Sequence, residues 1–437
     1  MRRRNWFPRL PAALVAAAVL AGCATPPAVD RDIARAMADA KTLPSGVDGM
    51  RIEGEKLARA PFLTGNAVTL LKNGTPTYEA MRVAIGGAKT RIDMESYEFD
   101  GAEGGKFADL LLSKRAEGVE VALIYDSWGS MDTSRALFDR LRDGGVHVVE
   151  YHPLAPTPSL PFDVNQRDHR KLLVVDGTIA ITGGVNVSDV YENHRRAPDA
   201  EADPDTVSWR DTDVRIEGPV VGQFEAMFFK TWQAEKGDPL AVPPPPPAAV
   251  PGPHDGALVQ AIDGAPDDDH PLIYRTLMVA FALARSSVHL TTGFFVPPPD
   301  METALEDAAR RGVEVEIVVP ALTDSDESLA AGRAKYADLM TAGVRIFERQ
   351  RATLHAKTAV IDGTWSTVGS SNLDWRSVVF NNEIDAVIID PGFGAAMEAM
   401  FADDLARSVR IDPAAWDRRP LGERLRELKA TLMERLL

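Results

Sequence analysis

The sequence predicts an α/β protein made of two similar α/β sandwich domains, each with a mostly parallel sheet. Three observations predict this class. Apolar strand-like runs alternate with helix-like segments, which is the pattern of α/β units. The chain also repeats itself, because residues 118–126 (GVEVALIYD) read like residues 312–320 (GVEVEIVVP). Five consecutive prolines, Pro243 to Pro247, lie between the two copies and favour a stiff, extended connector.

Composition bounds the class of partner. The 437 residues are 45% hydrophobic and 26% charged, which is typical of a folded protein long enough for two domains. Asp and Glu total 64 against 48 Lys and Arg, so the net charge is −16. A polyanion is normally met by a basic surface, so this charge argues against bulk binding of nucleic acid.

The N-terminus is predicted to be a targeting segment rather than part of the fold. Arg2, Arg3 and Arg4 precede an apolar run at residues 10–20, which is short for a membrane span. The run ends in LAGC, with Cys23 last, and this ending resembles the lipobox of bacterial lipoproteins. We expect residues 1–23 to be a signal peptide that ends at a lipidated Cys23, and the protein to be exported and anchored by lipid on the periplasmic face of a bacterial membrane. A buried structural cysteine is the alternative.

The remaining boundaries follow from composition. We expect a tether over residues 24–45, a first domain over 46–237, a Pro-rich linker over 238–256 and a second domain over 257–437. A helix is predicted for part of the tether, residues 31–40. Four further helices are predicted, each soon followed by Gly-Val and a β-rich run, over residues 107–117, 134–142, 301–311 and 328–342.

The duplication extends to residues that can carry chemistry. His169-Arg-Lys171 matches His355-Ala-Lys357, and Asp211 occupies the position that Glu383 occupies in the second copy. The sequence offset between the copies shrinks along the chain. The first copy therefore carries extra residues on either side of its histidine motif, at 154–166 and 193–206.

Each histidine motif predicts a β-hairpin. Asp176-Gly177 between two β-branched runs is a strong signal for a two-residue turn. That turn would place His169 opposite Gly184 and Lys171 opposite Thr182. In the second copy Asp362-Gly363 makes the turn, with His355 opposite Ser370. Alternate strand residues share a face, so the side chains of the base, the cation and the amide would project together; this set is His169, Lys171 and Asn186 in the first copy and His355, Lys357 and Asn372 in the second.

One His-x-Lys on a strand is weak evidence for a site, whereas two copies of His-x-Lys-x4-Asp-x6-Gly-[Gly/Ser]-x-Asn are hard to produce by accident. This pattern is the signature of the phospholipase D superfamily, and the sequence resembles its members, above all bacterial cardiolipin synthases, from about residue 62 onward. Two departures are visible. Gly184 replaces the serine of the strict motif, and a lipoprotein leader stands where cardiolipin synthases often have membrane-spanning helices.

The resemblance implies a mechanism. His169 would attack phosphorus to form a phosphohistidine, and His355 would act as acid and then as base, although the symmetry of the sequence allows the reverse. Lys171 and Lys357 would hold the phosphate oxygens, assisted by Asn186, Ser370 and Asn372. Asp211 and Glu383 are candidates for orienting the histidines, with solvated surface carboxylates as the alternative. Asp176 and Asp362 are expected to brace the turns. We expect no metal and no cofactor.

The resemblance also implies a phospholipid substrate, a membrane surface as partner and no nucleic-acid partner; one chain holds both motifs, so a monomer would suffice. Leucines at 421, 425, 428, 432 and 436 form one helical stripe with basic neighbours. That helix is expected either to lie on an anionic bilayer or to pack on its own domain. Residues 294–299 and Phe162 are candidates for an apolar mouth for acyl chains.

The leading hypothesis is a phosphatidyltransferase that makes cardiolipin from phosphatidylglycerol. The near alternative is a phospholipase D that transfers the phosphatidyl group to water and releases phosphatidic acid. A nuclease and a non-enzymatic lipid-binding protein are the candidates from other classes. The acidic balance opposes the nuclease, and the two complete motifs oppose the non-enzymatic protein.

Overall fold

The computed structural model describes residues 35–154, 165–192, 209–240, 256–265, 271–323 and 325–434. The predicted signal peptide, Cys23 and most of the Pro-rich linker lie outside these residues, as do nearly all of the two insertions. Of the predicted helix at 31–40, residues 35–40 are described, and they are helical. None of the described helices is both long and apolar enough to cross a membrane.

The described residues confirm the α/β class, with each half contributing eight strands. The first half supplies β1 (Leu63–Lys72), β2 (Arg91–Ser96), β3 (Glu120–Asp126), β4 (His147–Tyr151), β5 (Arg167–Asp168), β6 (Lys171–Val175), β7 (Ile179–Gly183) and β8 (Thr212–Glu217). The second half supplies β9 (Ala257–Gly264), β10 (Ser287–Thr292), β11 (Glu314–Pro320), β12 (Arg345–Arg349), β13 (Lys357–Ile361), β14 (Trp365–Gly369), β15 (Asn381–Ile389) and β16 (Ser408–Arg410).

Helices cover the strands in both halves. Those of the first half are α1 (Val47–Ala58), α2 (Gly74–Gly87), α3 (Gly101–Ala116), α4 (Arg135–Asp143) and α5 (Val221–Ala234). Those of the second half are α6 (Leu272–Leu283), α7 (Pro299–Arg310), α8 (Asp326–Ala342), α9 (Trp375–Val379), α10 (Pro391–Ala406), α11 (Pro413–Trp416) and α12 (Leu421–Thr431). The four helices predicted with flanking Gly-Val runs correspond to α3, α4, α7 and α8.

The two halves share one sheet instead of forming separate sandwiches. The strand order is β16-β12-β11-β10-β13-β14-β15-β9-β1-β8-β7-β6-β2-β3-β4, and the halves join where β1 pairs antiparallel with β9. A buried cluster on one face spans the join, because it contains Phe224 and Phe228 of α5 together with Met397 and Met400 of α10. The shared sheet and the shared core fix the two halves relative to each other.

The expectation of mostly parallel pairing is wrong. Among the strands of the described residues, β2-β3-β4 and β10-β11-β12 pair in parallel, as does the short β5 with β15, and the other strand pairings are antiparallel. The helical crossovers through α3, α4, α7 and α8 produce the parallel pairs. The two histidine hairpins account for the antiparallel pairs β6-β7 and β13-β14, because strands joined by a tight turn must run antiparallel.

The predicted register of the hairpins is also wrong, by one residue. Thr178 N–H does bond to the Val175 carbonyl across the Asp-Gly turn, but the ladder then resumes with Ile179 opposite Val175. Thr178 is therefore an extra residue, and Leu172, not Lys171, lies opposite Thr182. The second hairpin has the same shift, with Trp365 opposite Ile361. His169 consequently does not lie opposite Gly184, nor His355 opposite Ser370.

Candidate active site

The two motif histidines lie together at the join between the halves. Their ring centroids are 6.4 Å apart, and His169 and His355 are only 8% and 6% exposed. Aromatic rings surround them, with Tyr97 5.1 Å from His169 and Trp209 5.0 Å from His355. The half-buried ring of Phe294 lies 6.3 Å from His355. A phosphodiester between the histidines would therefore meet two imidazoles within largely aromatic surroundings.

The backbone that positions each histidine is bonded to the opposite half. Just before the first hairpin, the short strand β5 pairs in parallel with the start of β15, a strand of the other half. His169 N–H donates to the Asn382 carbonyl at 3.0 Å. The second copy does the same, because His355 N–H donates to the Arg210 carbonyl at 2.8 Å. Each half thus supplies a histidine and holds the other half's histidine in place.

The carboxylates cross in the same way. Both Glu383 oxygens lie 3.0 Å from His169 Nδ1, and Asp211 Oδ2 lies 2.7 Å from His355 Nδ1. Both carboxylates are fully buried, so neither is a solvated surface group. A neutral imidazole donates from only one nitrogen, so donation from Nδ1 to the carboxylate leaves the lone pair on Nε2. Each histidine therefore presents an unprotonated Nε2 for chemistry.

The electrostatics of the site favour neutral histidines. Burial lowers the pKa of His169 well below its usual value, and the charges of Lys171 and Lys357 lower it further. Burial also lowers the pKa of His355 to about 4, with Lys357 adding to the shift and Asp211 opposing it. Burial lowers the pKa of Lys171 to about 7, a shift that Glu383 opposes and Lys357 reinforces. A bound anion would relieve the repulsion between these cations.

The two lysines occupy equivalent positions. Lys171 Nζ donates to the His169 carbonyl at 2.5 Å, and Lys357 Nζ donates to the His355 carbonyl. Lys171 Nζ also lies 5.0 Å from the centre of the Tyr97 ring. An ammonium group carries three N–H donors and a positive charge, which suits both lysines to hold phosphate oxygens.

The three polar residues predicted to bind phosphate differ in their hydrogen-bond partners. Ser370 is fully buried and its hydroxyl donates to Glu383, so it supports the carboxylate behind His169. Asn186 accepts from Glu98 N–H and donates to the Tyr191 hydroxyl. Asn372 differs, because its buried Oδ1 has no hydrogen-bond partner in the described part of the chain. Ser370 directly follows β14, and its backbone N–H donates to the Ile384 carbonyl of β15 at 3.0 Å, which places its side chain beside Glu383.

Two contacts with site residues and two ion pairs between the halves were not predicted from the sequence. Tyr191 places its hydroxyl 3.3 Å from His355 Nδ1, and the Ser377 hydroxyl donates to Glu383 Oε1 at 2.8 Å. Arg210 forms a buried two-point ion pair with Asp404 across the join, and Arg170 pairs with Asp263. Both arginines adjoin site residues in sequence, which was an available signal. Ser377 ends the run GSSNLDWRS at residues 369–377, which resembles the family pattern and was also a signal, whereas Tyr191 lies outside the repeat and gave none.

Asp176 and Asp362 lie at the turns, away from the histidines. Asp176 accepts hydrogen bonds from the backbone N–H groups of Lys89, Thr90 and Arg91 and from the Thr90 hydroxyl, at 2.8 to 2.9 Å. Asp362 accepts the equivalent set from Arg285, Ser286 and Ser287. Each aspartate fastens the turn to the residues that start the neighbouring strand, β2 or β10.

We expect Asp176→Ala to destabilise the fold by about 3 kcal/mol, because several bonds to a charged acceptor are lost. Although burial opposes it, bonding from Arg91, Thr90 and Lys89 lowers the pKa of Asp176. A depressed pKa contributes stability above the unfolded pKa that is lost as pH falls through the folded one. The difference in unfolding free energy between parent and variant, from urea titrations, should therefore shrink below about pH 4. A difference that stays constant as the pH falls from 7 to the lowest pH at which both proteins remain folded would contradict this account.

Gly184 leaves room for the side chain of Asp211, which is shorter than that of the equivalent Glu383. A Cβ at Gly184 would lie 2.1 Å from Asp211 Oδ1, an atom that is held by Thr212 N–H. The equivalent Ser370 coexists with the longer Glu383 and bonds to it. Gly with Asp and Ser with Glu are therefore alternative ways to fill the same space behind a histidine.

We expect Gly184→Ser to lower the rate of phosphodiester turnover about 100-fold, because it displaces Asp211 from His355. Adding Asp211→Glu should restore the rate to within about tenfold of the parent, since it recreates the arrangement of the second half. Gly86→Ser is the control, as nothing lies within 4 Å of its Cβ position. A double variant no faster than the single one would disprove the pairing.

Among the described residues, one group of side chains outside this site is of the kind that can hold a cation. Strand pairing brings His289, Glu314 and Glu316 together, with ligand atoms within 4.8 Å of one another, although their sequence spacing gave no such signal. Arg345 already pairs with both glutamates, and His289 Nδ1 bonds to Glu398. The guanidinium thus supplies the positive charge that a metal would bring.

Comparisons with known proteins agree with this geometry. The family described as "Cardiolipin synthase, PLD-like domain" matches residues 81–196 and 277–405, which include both histidine motifs. Cardiolipin synthase A of Pseudomonas aeruginosa is 34% identical over 378 residues, covering 85% of this chain and 73% of that protein. Cardiolipin synthase 2 of Bacillus anthracis is 32% identical over 369 residues, covering 84% and 70%.

The fold has a solved counterpart. The crystal structure of phosphatidylserine synthase from Haemophilus influenzae superposes with a TM-score of 0.66, covering 89% of this chain and all of that one. At 14% identity this likeness speaks for the fold alone. The family match covers more than half of the chain, and both synthases are matched over more than two thirds of their length. The chain is therefore an enzyme of the phospholipase D superfamily and belongs to the family of cardiolipin synthase, PLD-like domains.

Proposed function

We propose that this phospholipid synthase is a phosphatidyltransferase of the cardiolipin synthase type, acting on phosphatidylglycerol-like phosphodiesters. The observation that carries the proposal is the pair of histidines 6.4 Å apart, each with a buried carboxylate on Nδ1. The aromatic surroundings from Tyr97, Trp209 and Phe294 suit a lipid better than a polyanion, as does the net charge of −16.

The reaction proceeds in two displacements. His169 Nε2 attacks phosphorus, the bond to the leaving glycerol oxygen breaks, and His355 donates a proton to that oxygen. The product is a phosphatidyl-histidine with glycerol released. The hydroxyl of a second phosphatidylglycerol then gives its proton to His355 and attacks phosphorus, and the phosphorus–nitrogen bond breaks. Cardiolipin leaves, and both histidines return to their starting state. Lys171, Lys357 and Asn372 hold the non-bridging oxygens throughout.

The first displacement needs a protonated His355, whose pKa is about 4 in the free enzyme. A phosphate anion offsets the charge of Lys357 and Lys171 on the ring, so we expect bound phosphate to raise the His355 pKa toward neutrality. Histidine-labelled protein titrated by NMR, with and without inorganic phosphate, would measure the change. The resonance of His147, outside the site, is the internal reference. An unchanged His355 pKa at saturating phosphate would contradict the proposed proton transfer.

The function itself is tested by mixing purified protein with phosphatidylglycerol vesicles and resolving the lipid products by mass spectrometry. Cardiolipin and glycerol, absent with His169→Ala, would establish the transferase. Phosphatidic acid alone would make the enzyme a hydrolytic phospholipase D. If phosphatidylglycerol remained unchanged while DNA was cleaved, the nuclease would replace the lipid enzyme.

We also propose that the protein is exported, anchored through a lipid on Cys23, and active as a monomer. The lipobox-like LAGC ending supports the anchor, and the presence of both half-sites in one chain supports the monomer. Intact-mass measurement of protein from membranes tests the anchor, since an unmodified Cys23 would exclude it. Activity found only in a sedimenting dimer would exclude the monomer.

A further inference from the structure

The C-terminal helix α12 presents an apolar stripe to solvent. Leu421, Leu425, Leu428 and Leu432 are 75%, 65%, 61% and 78% exposed. Successive helix residues turn by about 100°, so these leucines lie within about 60° of one another. Four exposed leucines on one side of a short helix form a continuous surface patch, unlike scattered single residues. Leu436 and Arg435 lie outside the described residues.

The opposite side of α12 attaches the helix to the protein. Ala430 is buried against Val296 and Ala331, and Glu427 is buried in an ion pair with Arg419. The sequence predicted that this helix would either pack on its own domain or lie on an anionic bilayer. One face does pack on the domain, and the other is exposed, as binding to a bilayer would require. Its small and acidic face packs on the second half, and the leucine stripe covers nothing in the described part of the chain.

Basic residues border the stripe. Arg424 and Lys429 flank it on its two sides and are exposed, and Arg426 is exposed farther round. The helix carries two acidic residues, the exposed Glu423 and the buried Glu427, and Glu427 is neutralised by Arg419. With three basic residues, α12 is therefore net positive on a protein whose net charge is −16. A second copy of the chain fits this face poorly, because a two-fold contact would place the same basic residues against each other. An anionic bilayer is complementary to both the charge and the leucines.

The attachment point of α12 adjoins the active site. Val296 lies two residues beyond Phe294, whose ring is 6.3 Å from that of His355. Val296 N–H also donates to the carbonyl of Leu373, the residue after Asn372. The leucine stripe is therefore fixed to the segments that form the His355 side of the site.

Exposed apolar residues also occur on the His169 side. Trp128 and Met131 follow β3 and are 45% and 56% exposed. Asp126 accepts from Trp128 N–H and from the N–H of Asp168, which precedes His169. The two sides of the site thus carry exposed apolar groups on separate segments, as expected of a site that opens toward a lipid surface.

We propose that α12 is an interfacial anchor, whose leucine stripe inserts into an anionic phospholipid surface while Arg424 and Lys429 contact its head groups. The role of this anchor rests on the proposed lipid substrate. The binding of α12 to a bilayer can be measured without catalysis. Its effect is to hold the active site against the bilayer from which the substrate comes.

The test uses the full chain carrying Cys23→Ser, so that no covalent lipid contributes. Vesicles of equal phosphatidylglycerol and phosphatidylcholine are sedimented with the parent and with Leu425→Ser/Leu428→Ser. We expect the partition coefficient of the leucine variant to fall at least tenfold. The control Val83→Ser/Val409→Ser removes equally exposed apolar residues elsewhere and should stay within twofold. Thermal unfolding of each variant checks that the fold is intact.

Charge is tested separately. Arg424→Gln/Lys429→Gln should weaken binding to phosphatidylglycerol vesicles by about fivefold per residue and leave binding to pure phosphatidylcholine vesicles nearly constant. Lys89→Gln/Arg410→Gln is the matched control, with the same charge change at exposed positions away from α12. Binding that is equal for the leucine variant and the parent would overturn the proposal. So would a change from dimer to monomer in the ultracentrifuge with vesicle binding retained, since the stripe would then cover a second copy.

Activity separates this inference from the proposed function. The ratio of turnover on vesicles to turnover on monomeric dihexanoyl-phosphatidylglycerol should fall at least tenfold in the leucine variant. A ratio equal to that of the parent would contradict the anchoring role. If the parent turns over neither substrate, the proposed function fails, and the sedimentation result alone decides whether α12 binds lipid.

Discussion

Replacing His169 with alanine is expected to lower kcat by about 10⁵-fold, because the residue proposed to form the covalent intermediate is lost. His355→Ala should be equally slow on phosphatidylglycerol. Its first step, the attack of His169 on phosphorus, should nevertheless stay fast with an activated donor. With a p-nitrophenyl phosphodiester donor the leaving group needs no proton, so attack by His169 still proceeds. The intermediate then accumulates, because no base activates the acceptor. The measurement is a stopped-flow burst of nitrophenol, with mass spectrometry of the acid-labile adduct on the peptide containing His169.

His147→Ala, outside the site, is the matched control and should behave like the parent. The two histidine variants also decide the assignment that the symmetric sequence leaves open. An adduct on His355 in the His169→Ala protein, with none on His169 in the other variant, would reverse the roles. Full activity in either variant would remove the histidine mechanism altogether.

The second large effect is expected from the crossed carboxylates. Glu383→Gln and Asp211→Asn should each lower kcat about 10³-fold. Without the negative carboxylate beside Nδ1, the imidazole is misoriented and its protonated form is less stable. The pattern across substrates distinguishes the two. Glu383 contacts His169, so Glu383→Gln should slow the nitrophenol burst itself. Asp211 contacts His355, so Asp211→Asn should leave the burst fast and slow only the later turnover.

Asp385→Asn is the control for burial. Asp385 is also a buried carboxylate of β15, but it bonds to Thr367 and Ser371 and contacts neither histidine. Burial raises the pKa of Asp385 to about 6, so the amide resembles a form that the native residue readily adopts. A slow burst in Asp211→Asn and a fast burst in Glu383→Gln would mean that each carboxylate serves the histidine of its own half. That result would contradict the crossed geometry.

Much of this protein was predictable from the sequence. The α/β class, the duplication, the helices α3, α4, α7 and α8, and the residue types that meet in the candidate site all follow from local pattern and repetition. Asp176 and Asp362 were assigned to the turns because Asp-Gly is a turn signal wherever it occurs. These features depend on residues near one another in the chain, where spacing has a direct geometric meaning.

The register and the sheet topology were less accessible. Thr178 and Thr364 add one residue after each turn, so Leu172 and not Lys171 lies opposite Thr182, and Trp365 lies opposite Ile361. The parallel and antiparallel pairings likewise depend on which strand takes the place beside β2 and β10. Neither feature has a signature in hydrophobic periodicity.

The sequence by itself determined that two histidines, two lysines and two carboxylates act together, because each appears twice in matching positions. It could not determine which carboxylate serves which histidine, since a symmetric repeat fits pairing within a half and pairing between halves equally well. The antiparallel join of β1 with β9, and the pairing of β5 with β15, decide for pairing between halves. The leucines of α12 follow the same rule. The sequence shows the helical spacing of these leucines, but only the packing of Ala430 against Val296 and Ala331 determines that they face outward.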